Sequence, residues 1–341
     1  MNQSARISYG IMVVLLVLIA SLRLGTLVLT ALFGYFALQK FTFRRSRSFA
    51  VAIYIIVIIA AGYGLVHFSR QAYIALPQIA QTTIPKLVEF AERHKIELPF
   101  TDYATLKTLA GDKVKEEFAQ IGHYAHTATI QLVLLVIGLV VALSMFLNVR
   151  WGDDDDTRSF ANSLYASVVR ELAKRFESFY SSFSTVVGAQ IIISAVNTAL
   201  TAAFVLWNSF PNQMVLIVLT FICGLLPIIG NLISNALIVG VGLTISPEMA
   251  LISLIFLIVI HKLEYFLNSK IIGDRIKNPM WLTLIGIVVG ERLMGVPGMI
   301  LAPVVLYYIK VETSQNRIPE RPSPDAVVVE KTVKNGNNPK S

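Results

Sequence analysis

Long apolar segments recur along the whole chain, and each is interrupted by only a few polar residues. About 20 consecutive apolar residues suffice for a helix to cross a lipid bilayer. Inside the bilayer every backbone N–H and C=O must be bonded within the chain, so long apolar segments predict helices. Charged residues form only 15% of the 341 residues, against ~25% in soluble domains. We therefore predict an all-α fold, a polytopic bundle of membrane helices.

Six of these segments predict full membrane spans. They are centred on residues 11–20, 26–38, 49–68, 127–147, 184–207 and 250–266. We expect the first to be a membrane helix and not a removed signal peptide, because no small-residue cleavage pattern follows it. Two further segments, residues 214–245 and 281–309, are broken near their middle by glycine and proline. We expect each to form a re-entrant hairpin, with eight full spans in all as the alternative.

Basic residues are concentrated in one short segment between apolar segments. Residues 39–48 contain Lys40, Arg44, Arg45 and Arg47 and no acidic residue. This predicts a cytoplasmic loop, because basic residues concentrate on that side of the membrane. The N-terminus and the C-terminal tail are then cytoplasmic as well. The formal charge of +8 reflects this topology, so the expected partner is the lipid bilayer and not nucleic acid.

The spans and the regions between them predict six parts. In order, they are three N-terminal membrane helices, an external insert of amphipathic helices, the fourth span, a cytoplasmic interfacial helix, the C-terminal transport core and a disordered cytoplasmic tail. These cover residues 1–68, 69–126, 127–147, 148–183, 184–309 and 310–341. We expect Asp153–Asp156 to cap a helix. His123 and His126 lie one turn apart on a solvated face, and no metal site is expected.

A polar stripe marks the fifth span. Gln190, Ser194, Asn197 and Thr201 recur every three or four residues, which places them on one face of a helix, away from lipid. Two interpretations stay open. The stripe either bonds neighbouring helices together or lines a path for a solute.

The two broken segments are the strongest functional signal. Paired apolar segments interrupted by glycine and proline are typical of transport sites near the middle of the membrane. In the first segment the residues expected to shape such a site are Pro227, Gly230, Asn231 and Asn235. In the second segment they are Gly290, Gly295, Pro297 and Gly298.

Four further polar residues lie in or beside the apolar segments. Glu264 and Asn268 lie one turn apart near the end of the sixth span, and Glu291 and Arg292 lie in the second break. A charge at membrane depth costs about 2.5–3.5 kcal/mol on insertion scales unless it is paired or hydrated. Glu264 is expected either to snorkel beside Lys262 or to couple transport to an ion. Glu291 is expected to take part in the same ion coupling. Arg292 is expected to pair with an acid or an anionic group, and Gln190 and Asn197 to donate hydrogen bonds.

The residues around the breaks resemble a family signature. The matching segments are Gly188-Ala-Gln190, Leu226-Pro227-Ile-Ile-Gly230, Glu264 followed by Lys270-Ile-Ile-Gly273, Pro279, and Gly290 through Gly295-Val-Pro297-Gly298 to Ala302-Pro303. In order and spacing they resemble the autoinducer-2 exporter family of bacterial inner-membrane proteins, also called the PerM family. The chain departs from the family pattern at Asn231 and Ser269, where proline is usual.

The resemblance implies export of a small polar signalling molecule, a role in quorum sensing, and a homo-oligomer in the inner membrane. Other members of the family are credited with exchange of Na⁺ or Li⁺ for protons, which implies coupling to H⁺ or Na⁺ as the alternative. The residues themselves predict only a polar, backbone-lined path in the C-terminal half. No P-loop of the form Gly-x4-Gly-Lys-Ser/Thr occurs, so we expect no cofactor and a secondary or facilitated mechanism.

Two other classes of protein are alternatives to a transporter. A membrane scaffold without transport requires the glycine and proline breaks to be packing features only. An intramembrane protease requires a His-Glu-x-x-His motif, a Gly-x-Ser-Gly type nucleophile with a histidine partner, or paired aspartates, and the sequence has none of these patterns. We therefore expect no enzymatic activity.

Overall fold

A computed structural model describes residues 3–42, 46–93, 95, 121–148, 163–227, 229–272 and 279–315. These ranges contain ten α-helices and no strand, which confirms the predicted all-α fold. The helices are α1 Gln3–Ser21, α2 Gly25–Phe41, α3 Arg47–Arg93, α4 Ile121–Asn148, α5 Leu164–Trp207, α6 Gln213–Gly224, α7 Ile229–Ile245, α8 Pro247–Ile272, α9 Met280–Met294 and α10 Val296–Gln315. The predicted cap at Asp153–Asp156, the side chains of His123 and His126, and residues 316–341 lie outside the described part.

Among the described residues, five helical stretches are long and apolar enough to cross a membrane. They belong to α1, α3, α4, α5 and α10. The apolar helices α2, α6 and α7 are shorter. The 17 residues of α2 measure about 26 Å at 1.5 Å per residue, close to the ~30 Å hydrocarbon core. Large apolar side chains such as Ile59, at 67% exposure, lie on the surface, as expected of helices that face lipid.

Two helices are much longer than the bilayer is thick. The 47 residues of α3 and the 44 of α5 correspond to about 70 Å and 66 Å. The third span therefore continues into the first part of the predicted external insert without a break at residue 68. The interfacial helix and the fifth span are likewise one helix across residue 183. Pro77 and Pro85 lie inside α3, where each removes a backbone hydrogen bond.

Small residues bring α2 and α4 together. A Cβ atom on Gly34 would lie 2.7 Å from the Cβ of Ala142, and one on Gly138 would lie 2.7 Å from the carbonyl oxygen of Leu27. Close backbone approach at small residues is the usual way in which membrane helices pack. The two helices run parallel, because Thr26 bonds to Gln131 near one end and Gly34 meets Ala142 near the other.

Both apolar cores form around α5. One core combines Phe179 and Phe183 of α5 with Met12 of α1 and Val304 of α10. The other combines Val205 of α5 with buried side chains of other elements, namely Ile79 of α3, Phe210, Leu216 of α6, Ile238 and Val241 of α7, and Leu257 of α8. One half of α5 therefore supports the helices of the second broken segment, and its other half supports those of the first.

Candidate functional site

The first broken segment is a pair of short helices joined by a tight turn. Helix α6 ends at Gly224, α7 begins at Ile229, and Pro227 lies between them. The turn is closed by backbone hydrogen bonds from Leu226 N to Cys223 O at 2.8 Å and from Ile229 N to Pro227 O at 2.7 Å. The predicted interruption is therefore present at the expected residues.

Gly230 lies where α7 contacts the end of α6. A Cβ atom built on Gly230 would lie 1.6 Å from the carbonyl oxygen of Cys223. That distance is far inside van der Waals contact, so only glycine fits between the two backbones. Gly224 is similarly close to α5, because its Cβ would lie 2.5 Å from the Ser194 hydroxyl oxygen.

The polar stripe of α5 bonds the carbonyl groups that α6 leaves free at its end. The last four carbonyls of a helix have no partner within the helix and must find one elsewhere. Gln190 donates from Nε2 to Gly224 O at 2.6 Å. Ser194 donates from Oγ to Phe221 O at 2.9 Å. This half of the stripe thus joins neighbouring helices, which is the first of its two interpretations.

Further along the stripe, Asn197 faces a carboxylate. Asn231, in the first turn of α7, donates from Nδ2 to both oxygens of Glu264, at 2.8 and 2.7 Å. The side chain of Asn197, on α5, lies beside the same carboxylate. The Glu264 side chain is only 14% exposed. Three segments that are distant in sequence therefore meet at one acidic group beside the break.

The surroundings of this carboxylate are polar on two sides. His261, one turn earlier on α8, places Nδ1 3.8 Å from Glu264 Oε2, and its own side chain is 57% exposed. Asn197 is 7% exposed, and its Oδ1 atom is buried with no hydrogen-bond partner in the described structure. Asn235 is half-buried one turn beyond Asn231. Asn268 lies on α8, but its side chain is outside the described part.

The second broken segment is a tighter hairpin. Helices α9 and α10 are separated by Gly295 alone, whose φ of +66° and ψ of −146° are accessible essentially only to glycine. Behind the turn the two backbones touch, since a Cβ on Gly298 would lie 1.9 Å from Gly290 O. At the tip, Pro297 and Met294 pack against Gly25 of α2.

The two charges of the second break lie on the surface. The side chains of Glu291 and Arg292 are 53% and 85% exposed, and Oε2 of the first lies 3.9 Å from Nε of the second. Both belong to α9, whereas the described contacts of Glu264 come from α5, α7 and α8. The acid nearest to Arg292 in this pair is its neighbour in the sequence.

The sequence interpretation missed a buried ionic group on α5. The side chain of Arg175 is only 7% exposed and bonds to Glu312 of α10. One signal could have identified it. Arg175 follows Leu172 by three residues and precedes Phe179 by four, so it lies on the apolar face.

A groove lies beside the N-terminal end of α6, where the first hairpin begins. It measures about 460 Å³ and lies between α3 and the segment that leads into α6. Four carboxamide side chains line it, from Gln71, Gln78, Asn212 and Gln213, together with apolar residues. Its polar lining carries hydrogen-bond donors and acceptors without charge.

Comparison with known proteins agrees with this architecture. Residues 6–315 match the model of a family described as "AI-2E family transporter". A relative in Bacillus subtilis (strain 168), named "Putative transport protein YdbI", is 27% identical over 241 residues, which are 68% of this chain and 68% of the relative. These matches confirm the resemblance drawn from the residues around the two breaks.

Proposed function

We infer the function from one premise: the chain belongs to the AI-2E transporter family. It is a membrane protein of a transporter family. We propose that it exports a small polar solute, similar to autoinducer-2, by a secondary or facilitated mechanism. We further propose that the solute passes along the first hairpin and that Glu264 couples its movement to an ion.

The observation that supports this proposal is the contact between Asn231 and Glu264. A carboxylate at membrane depth is costly unless it is paired or lines water. Here its two oxygens are held by an amide at the start of α7, next to a break in the helix. Residues of this kind, beside a discontinuous membrane helix, are the usual composition of a transport site.

Binding and release of an ion at Glu264 would change the contact with Asn231. A carboxylate accepts the Asn231 hydrogen bonds in its charged form, and protonation removes one acceptor and adds a donor. Because Asn231 lies in the first turn of α7 and Glu264 on α8, this change acts directly between the hairpin and the sixth span. The groove beside the start of α6, lined by uncharged amides, is on the external side in this topology and is suited to a neutral polar solute at the exit.

A second candidate function is exchange of Na⁺ or Li⁺ for protons. One observation favours it. The Oδ1 atom of Asn197 is buried without a partner among the described residues, and the amide that carries it also contacts Glu264. Carboxylate and amide oxygens are ligands of hard cations. In this function Glu264 would bind the cation and the proton in turn.

The proposal includes an arrangement in the membrane. We propose a bacterial inner membrane, with both termini on the cytoplasmic side and copies of the chain associated with one another. The basic residues of the segment between α2 and α3 support this orientation through the positive-inside bias. Exposed apolar side chains on α1, α3, α4 and α8 provide surfaces for lipid or for a neighbouring copy.

The proposal is tested by replacing Glu264→Gln in protein reconstituted into liposomes. Gln keeps the size of the side chain but cannot bind a proton or a cation as a carboxylate does. We expect autoinducer-2 flux to fall about tenfold or more and to lose its dependence on an imposed pH gradient. Glu248→Gln is the matched control, because Glu248 lies at the start of the same helix and is exposed.

The same liposomes separate the two candidate functions. Proton movement driven by a Na⁺ or Li⁺ gradient, with no autoinducer-2 flux, would favour the exchanger. Full flux with an unchanged pH profile in Glu264→Gln would remove Glu264 from the coupling role. Wild-type protein that moves neither the solute nor protons would contradict the proposed function itself.

A further inference from the structure

A buried ionic cluster connects the second hairpin to the rest of the bundle. We call the side chains of Ser8, Tyr9, Glu171, Arg175 and Glu312 the Arg175 cluster. Arg175 bonds through its NH1 group to Glu312 Oε1, and its Nε donates to Ser8 Oγ at 2.8 Å. Its remaining nitrogen lies 3.5 Å from Glu171 Oε2. The cluster therefore joins α1, α5 and α10.

Aromatic and hydroxyl groups complete the cluster. The guanidinium carbon of Arg175 lies 3.6 Å from the centre of the Tyr9 ring, which is cation–π contact. The Tyr9 hydroxyl donates to Glu312 Oε1 at 3.0 Å, and Ser178 Oγ donates to Oε2 at 3.1 Å. The side chains of Arg175 and Glu312 are 7% and 12% exposed. Both charges are thus desolvated and depend on each other.

The two ends of the second hairpin are held in different ways. Glu312 lies near the end of α10, which is the base of the hairpin, and there the contacts are ionic and hydrogen-bonded. At the tip, the contacts of Met294 and Pro297 with Gly25 are van der Waals contacts. The 16 residues between Val296 and Glu312 correspond to about 24 Å of helix. A small rotation at the base is therefore magnified at the tip.

We propose that Arg175 and Glu312 are positioning residues for transport. They hold the base of the second hairpin against α5, the helix whose other half bonds to the first hairpin through Gln190 and Ser194. Both broken segments are thereby bonded to the same helix, α5. The inference rests on the proposed transport function, but it concerns a cluster separate from Asn231 and Glu264.

Charge exchange is the direct test of this role. In liposomes carrying the full-length protein, Arg175→Ala and Glu312→Ala should each lower the maximal rate of autoinducer-2 flux about tenfold or more, because misplaced elements slow a transport step. The half-saturating concentration should stay within about twofold, since the Glu264 site is unchanged. The double variant Arg175→Glu with Glu312→Arg, made together with Glu171→Gln to remove the carboxylate that lies 3.5 Å from Arg175, should recover part of the rate. Lys174→Ala is the control, because Lys174 also pairs with Glu171 but is 71% exposed.

A second measurement follows the hairpin without any substrate. Cysteines are introduced as Gly25→Cys and Met294→Cys after Cys223→Ala removes the one native cysteine. A Cβ on Gly25 lies 3.0 Å from the Cβ of Met294, so a disulfide, which needs about 3.5–4.5 Å, requires only a small shift. Crosslinking should be efficient in this background and with Lys174→Ala, and should fall with Arg175→Ala.

The outcomes are distinguishable. Where the alanine variants do not fold, Glu312→Gln and Arg175→Lys keep the shape of the cluster and should show the same loss of rate. Folded variants with wild-type rate and wild-type crosslinking would overturn the positioning role, as would a charge exchange that assembles normally but recovers nothing. If wild-type protein transports nothing, the proposed function fails, while the crosslinking result still decides whether the cluster positions the hairpin.

Discussion

Asn231 is one of the two residues at which the chain departs from the family pattern that it resembles, and it bonds to both oxygens of Glu264. The resemblance implies a proline at this position. A proline has no N–H and no polar side chain, so it cannot hold the carboxylate. The chain therefore holds Glu264 with a contact that a chain following the usual pattern would lack. We expect the ion affinity of the proposed coupling site to depend on Asn231.

The substitution Asn231→Pro tests that expectation with little disturbance of the fold. Position 231 is in the first turn of α7, where helices tolerate proline because the backbone N–H is free in any case. Hydrogen bonds to charged groups contribute about 1.5–3 kcal/mol, so we expect ion affinity to change about tenfold or more. Flux measured against ion concentration in liposomes checks this. Leu232→Ala, at the next position of α7, is the control, because that side chain is 72% exposed, and it should leave the affinity unchanged.

At the scale of elements, the helix break is stabilised from a neighbouring helix. A broken helix in a membrane exposes carbonyl groups that water does not reach, and they must be bonded by protein. Gln190 and Ser194 of α5 supply those bonds to the last turn of α6. Gly230 then lets α7 lie directly on the same turn. The hairpin is therefore one unit with α5 and does not depend on its own turn alone.

Replacing Gln190→Leu should loosen the first hairpin. The substitution leaves Gly224 O without its donor, and an unsatisfied buried group costs about 1–3 kcal/mol. We expect a lower midpoint of thermal unfolding in detergent and greater reactivity of Cys223, which is buried in the wild type. Thr185→Val is the control, because the Thr185 hydroxyl donates within α5, to Ser181 O at 2.9 Å. Equal stability and thiol reactivity in both variants would contradict the bonding role of Gln190.

For the whole molecule, α5 is the common support of the two broken segments. The α9–α10 hairpin packs on its first half through Phe179, Phe183 and Arg175. The first hairpin and α8 pack on its second half, where Phe204 stacks on Phe256 at 4.2 Å between ring centres. A transporter needs parts that move relative to a fixed frame, and α5 with its long extension is suited to be that frame.

The proposed topology is tested by reporter fusions that function on one side of the membrane. A reporter fused after Ser341 should be active on the cytoplasmic side, because two hairpins return the chain to the side from which each began. A reporter inserted at Ser246, between α7 and α8, should be active outside. An external signal from the Ser341 fusion would indicate that a broken segment crosses the membrane fully, and the count of spans would change.

The sequence alone was enough to predict the class of fold and the location of both breaks. Apolar segments of membrane length form helices, because their backbone groups must be hydrogen-bonded within the chain. Glycine together with proline in the middle of such a segment interrupts the helix. The helix lengths were less predictable. The sequence predicts that a membrane span ends at residue 68 and that an interfacial helix ends at residue 183. Helices α3 and α5 continue through these positions, because a helix can leave the membrane without a change of backbone conformation.

The sequence pointed to Asn231 and Glu264 separately, and it did not predict that the two are partners. Asn231 and Glu264 are 33 residues apart, and Arg175 and Glu312 are 137 apart, so no local pattern relates them. Periodicity determines which face of a helix a residue occupies, and break residues determine where a helix ends. Only the packing of one helix on another decides which faces meet, since that depends on side-chain volumes along the whole contact. Tertiary structure alone therefore joined Glu264 to the first hairpin, brought Arg175 into a buried pair and left Glu291 and Arg292 on the surface.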